Sequence, residues 1–139
     1  MKTFGSTLYF VDRRNRDLLR AFRTVLLNND GISSFEIVCH HIANSPASRF
    51  WVSEERAGVV IKAMLAGKPL IKMRPNKKEM FAEIFRRFVS LREQYPAKQF
   101  DDLIIEVVNQ PAPSFYLTPK TVKEYLYKIK NGWYENKKS

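Results

Sequence analysis

Residues 44–53 read "NSPASRFWVS" and residues 109–118 read "NQPAPSFYLT". Laid over one another without a gap, Asn44, Pro46, Ala47 and Phe50 meet Asn109, Pro111, Ala112 and Phe115. Trp51 meets Tyr116, Val52 meets Leu117, and Ser53 meets Thr118. Each residue type implies a local job. Asn44 and Asn109 suit the left-handed residue that closes a helix. The Pro-Ala pair stops that helix from continuing. The aromatic pairs favour return of the chain to a core over base stacking. Ser53 and Thr118 are then hydroxyl N-caps for a following helix.

The correspondence runs outward from the loop. Residues 35–67 align with 100–132 at constant offset, pairing Phe35 with Phe100, Ile42 with Val107, Ala57 with Val122, Ile61 with Leu126 and Gly67 with Gly132. The preceding segments align once two extra residues near "EQYP" are allowed, placing Phe22, Arg23, Val25 and Leu26 over Phe85, Arg86, Phe88 and Val89. The repeating block is a duplicated three-helix unit.

Apolar spacing supplies the helices. In the first copy, Asp17 to about Leu27 carries Leu18, Leu19, Phe22, Val25 and Leu26 on one side, and "NNDG" stops it. Ser34–Ala43 follows with Phe35, Val38, Cys39 and Ile42 as its buried stripe. The helix after Ser53 runs to about Ala66, with Ala57, Val60, Ile61, Met64 and Leu65 inside, and Gly67 ends it. In the second copy, "KEMFAEIFRRFVSLREQY" carries Met80, Phe81, Ile84, Phe85 and Phe88. "FDDLIIEVVNQ" reads as a helix, with a strand as its alternative because Ile and Val are dense. Thr118-Pro119 opens the last helix, with Val122, Tyr125, Leu126 and Ile129 facing inward. The predicted fold is all-α, in two tandem helix-turn-helix-like units spanning 1–67 and 79–139. Residues 68–78, "KPLIKMRPNKK", form a basic linker with room for a short β-hairpin or wing at "LIKM".

The chain has 139 residues, 45% hydrophobic and 13% aromatic, enough for a packed core. Its apolar runs are far shorter than a membrane span, and no signal-like segment opens it, so no membrane partner is expected. A single cysteine, Cys39, fits a reducing cytoplasm. Twenty-four Lys+Arg stand against 14 Asp+Glu, a net charge of +10. Such an excess attracts polyanions, nucleic acid first among them.

"LTPKTVKEYLYKI", Leu117–Ile129, resembles the recognition helix of LuxR-type regulators, with its Leu-Ser, Thr-Val-Lys and apolar-spaced tail. "FWVSEERAGVVIKAML" resembles it more weakly, and the connector here is several residues longer than that family's turn. The resemblance implies double-stranded DNA as partner, met by Lys120, Thr121, Lys123, Tyr127 and Lys128, with Glu124 on the same exposed half. In the first copy Arg56 and Lys62 are the matching candidates, although Glu54 and Glu55 in the first turn repel phosphate. The first unit is therefore expected to position the second or to mediate homo-oligomer or protein contacts. Lys72, Arg74 and Lys77 of the linker, with Arg13 and Arg14 of "RRNR", add sequence-independent phosphate contacts.

Catalytic chemistry finds no support in the residue pattern, and no enzyme activity or cofactor is expected. Cys39, His40 and His41 are consecutive and diverge on a helix, so they cannot share one metal ion. Glu54-Glu55 and Asp101-Asp102 diverge likewise and read as helix-start charges. No glycine loop has phosphate-cradling spacing. Two other functions stay open beside DNA binding, of a regulatory or DNA-organising kind. One is a non-enzymatic assembly module, such as a phage or mobile-element structural component. The other is an RNA binder using Tyr127 and Trp133.

Overall fold

The structure, a computed structural model, describes residues 3–28 and 34–132, with side chains from Tyr9 onward. Among the described residues there are six helices: α1 (Thr3–Asn28), α2 (Phe35–Ala43), α3 (Glu54–Leu65), α4 (Pro75–Gln94), α5 (Phe100–Val108) and α6 (Pro119–Lys130). The all-α expectation holds, and the Ile/Val-rich 100–108 segment is a helix. Among the described residues there is no strand, so "LIKM" forms no wing. Pro69 and Pro75 bracket too few residues for two paired runs, and each lacks the N–H that a ladder needs. Pro75 instead takes the first position of α4.

The caps follow the sequence closely. Ser34 Oγ accepts from Glu36 N, Ser53 Oγ from Arg56 N at 3.0 Å, and Thr118 Oγ1 from Thr121 N at 3.1 Å. Two details differ from expectation. Asn44 and Asn109 close α2 and α5 at φ of −100° and −90°, not in the left-handed region. Their side chains do the closing: Asn44 Nδ2 donates to His40 O and Asn109 Nδ2 to Ile105 O. Among the described residues the left-handed ones are Gly67 and Gly132 after α3 and α6, and Tyr116 at φ 55°. Helix α1 also begins far ahead of Asp17. Asn15, Leu18, Ala21 and Val25 are buried at helical spacing, and Val11 is half-buried one turn earlier, so the amphipathic pattern reaches back at least to Val11.

The helices sort into two compact units that are not the contiguous 1–67 and 79–139. Unit 1 is residues 1–47 with 113–139, holding α1, α2 and α6; unit 2 is residues 48–112, holding α3, α4 and α5. Within unit 1, α6 packs on α2 and α1; within unit 2, α3 packs on α5 and α4. Each copy of the repeat has thus exchanged its third helix with the other. The chain leaves unit 1 between Ala47 and Ser48 and returns between Ala112 and Pro113, inside the two copies of the repeated loop.

Side-chain volume gives the physical reason for the exchange. Aligned positions on the first helices are Leu18, Ala21 and Val25 in α1 against Phe81, Ile84 and Phe88 in α4, all buried. On the third helices they are Val122, Tyr125 and Leu126 in α6 against Ala57, Val60 and Ile61 in α3. The large set of α4 is matched with the small set of α3, and the small set of α1 with the large set of α6. The contiguous arrangement would set small against small in one unit and large against large in the other. Cores tolerate neither voids nor overpacking, and the exchanged pairing balances volume in both units.

Equivalent contacts fasten the exchange on each side. Phe50 N donates to Val108 O at 3.1 Å in unit 2, and Ser114 Oγ donates to Ala43 O at 3.0 Å in unit 1. In both cases the segment leading into the third helix satisfies the last carbonyl of the other copy's second helix. An arginine on each first helix grips the loop proline's carbonyl: Arg20 Nη2 to Pro46 O at 3.1 Å and Arg87 Nη1 to Pro111 O at 2.9 Å. Asp17 holds Arg20, and Glu83 holds Arg87.

Candidate nucleic-acid interface

In unit 1, Val122 and Leu126 are buried against the neighbouring helices. That fixes which residues of α6 face outward. Lys120, Lys123, Glu124 and Tyr127 fall at i, i+3, i+4 and i+7 and are all exposed, Tyr127 by 67%. The first turn of α6 holds no acid, and Lys128 and Lys130 lie in its last turn. Thr121 is half-buried and committed to capping, its hydroxyl 3.0 Å from that of Thr118. Lys123 Nζ reaches Glu36 Oε2 at 3.4 Å, a contact exposed on both sides and therefore weak. Lys128 is half-buried.

The exchange brings "RRNR" into the same unit as α6. The Arg14 guanidinium lies over the Tyr125 ring, 3.9 Å from its centroid, while donating to Asn15 Oδ1 at 2.9 Å. Tyr125, assigned to the core by its spacing, is half-buried and supports a cation. Arg13 bonds Tyr9 Oη at 2.7 Å, and Arg16 pairs with Asp12 at 3.0 Å.

The other candidates belong to unit 2. Arg56, Lys72, Arg74 and Lys77 line an open cleft of about 540 Å³ together with Val59, Val60, Ala63 and residues 69–71 and 73. Among the described residues no carboxylate contributes to its lining. Lys62 stands apart from it, with Nζ 5.0 Å from the Phe100 ring centroid. Glu54 is occupied structurally, since its Oε2 accepts from Asn109 Nδ2 at 3.0 Å. The cleft was missed from sequence because its walls come from both α3 and the linker, and the linker's cations were read as separate phosphate contacts. The run of five basic residues with "LI" and "M" between them was the available signal.

His40 and His41 are exposed while Cys39 is buried, and burial raises the thiol pKa above its ordinary value, opposed by Lys123 and assisted by Glu36. Among the described residues no group of three or more His, Cys, Asp or Glu is placed to hold a metal ion. Among them also, no helix is long and apolar enough to cross a membrane. Trp133, the second aromatic of the RNA alternative, lies outside the described residues. No protein-family model, curated protein or solved structure matches the chain.

Proposed function

We propose that the protein binds double-stranded DNA through unit 1, with α6 as the reading helix, in a regulatory or DNA-organising role in the cytoplasm. The observation that carries this reading is the Arg14–Tyr125 stack, which joins the two basic stretches most distant in sequence within one three-helix unit. Lys120, Lys123 and Tyr127 occupy one solvent face of α6. Lys120 stands beside the helix N-terminus, where the backbone dipole also favours phosphate. Arg13 and Arg14 supply backbone contacts alongside. Helix α3 is the poorer reader, because Glu54 and Glu55 fill its first turn.

Duplex binding across a salt series tests the proposal. Affinity falls with salt by roughly 0.9 log units per log salt for each phosphate contact. The double substitution Lys120→Glu/Lys123→Glu weakens binding by at least about tenfold, since each reversal replaces a favourable phosphate contact by repulsion. A flat salt response, or full affinity in that folded double variant, rules the proposal out.

A further inference from the structure

The unit 2 cleft combines cationic walls with uncovered aliphatic side chains. Val59 is 61% exposed and Ile71 74% exposed, amid Arg56, Lys72, Arg74 and Lys77 and, among the described residues, no carboxylate. Unit 1 has nothing similar at the aligned positions. There Glu124 and Tyr125 replace Val59 and Val60, and Arg14 replaces Lys77 and covers the tyrosine. We propose that the cleft is a docking site for an acidic amphipathic helix of a partner protein, with apolar side chains on Val59 and Ile71 and carboxylates on the four cations.

Charge complementarity selects this occupant. The acid-free lining repels basic segments and attracts carboxylates at long range. The exposed aliphatics set among the cations separate an amphipathic helix from other polyanions. A phosphate backbone uses cations but gains nothing from exposed aliphatics, and none of the described lining residues is an aromatic that could offer a base a stacking platform. Side chains at i, i+3, i+4 and i+7 of a helix can meet both aliphatics while its carboxylates face the cations. The site lies wholly in unit 2, so it stands independently of DNA binding by unit 1.

The test uses the full chain and two labelled synthetic peptides of equal composition, built from Leu, Ala, Asp and Glu. One spaces Leu at helical intervals and the other scrambles them. The amphipathic peptide binds at least about tenfold tighter than the scrambled one, a difference of about 1.4 kcal/mol. Arg56→Glu/Lys77→Glu abolishes the preference, and Ile71→Ser reduces it severalfold. The substituted side chains are exposed, so unchanged helical circular dichroism confirms intact folding. Equal affinity for both peptides, or full preference in the charge-reversed variant, overturns the proposal. So does displacement of the peptide by duplex DNA, or by phosphatidylserine vesicles, with the same cleft variants losing that competitor; either reassigns the cleft.

Discussion

Glu83 shows how a single residue holds a repeat junction in place. Its carboxylate takes hydrogen bonds from Arg86 and from Arg87 Nε, and Arg87 in turn holds Pro111 O and Gln110 Oε1. Burial works against the charged carboxylate, but the two guanidinium groups outweigh it and hold the Glu83 pKa below its usual value of 4.5. A carboxyl with a depressed folded pKa contributes stability above its unfolded pKa. That contribution is lost as pH falls from about 4.5 through the lower folded value. Acid denaturation followed by circular dichroism should therefore be shallower below about pH 4.5 in Glu83→Gln than in the parent, while the variant is less stable at neutral pH. Equal acid slopes for both would show that the Glu83 cluster does not couple to folding. The Asp17–Arg20 pair does the same job in unit 1 from a different helical register, which is why neither arginine stood out in a position-by-position repeat.

Among the elements, the third helices carry the information that decides pairing. The hydroxyl caps and most inward positions of α2, α3 and α6 were legible because they follow from local spacing and hydroxyl positions. Phe50 and Phe115 are buried as expected, while Phe35, Leu26 and Leu65 are substantially exposed. The partner of each third helix was not legible from order along the chain, since adjacent elements usually pack together. It was written in volumes instead: Ala21 and Val122 are buried on the packed pair α1 and α6, and Ile84 and Ala57 on the packed pair α4 and α3. Ala57→Val should overpack unit 2 and cost about 1–3 kcal/mol. Ile84→Ala alone should cost about 2–5 kcal/mol through its cavity. Together they transpose the unit 1 pair into unit 2. Chemical denaturation of the double variant should then show a loss smaller than the two single losses combined. Strict additivity would mean that volume matching between α3 and α4 does not select the exchange.

At the scale of the whole molecule, the exchange makes each unit a product of both halves of the sequence. Residues before the linker supply α1 and α2 to unit 1 and α3 to unit 2; residues after it supply α6 to unit 1 and α4 and α5 to unit 2. Residues 68–74 lie between α3 and α4 as non-helical backbone, with Lys68 and Lys72 exposed and Ile71 74% exposed, which suits them to proteolysis. Trypsin should cut there before it cuts the helices. Cleavage costs the chain its covalent link yet leaves both cores assembled, because each fragment still buries its apolar faces on helices of the other. The nicked protein should elute from a sizing column with the intact one and separate only in denaturant. The same association should appear when 1–70 and 73–139 are expressed as separate chains, each lacking a third-helix partner of suitable volume within its own copy. Two independently eluting folded fragments would restore the contiguous division at 67 and 79. Co-elution would establish the repeated loop as the place where the copies trade helices, since both crossings, Ala47–Ser48 and Ala112–Pro113, lie within it.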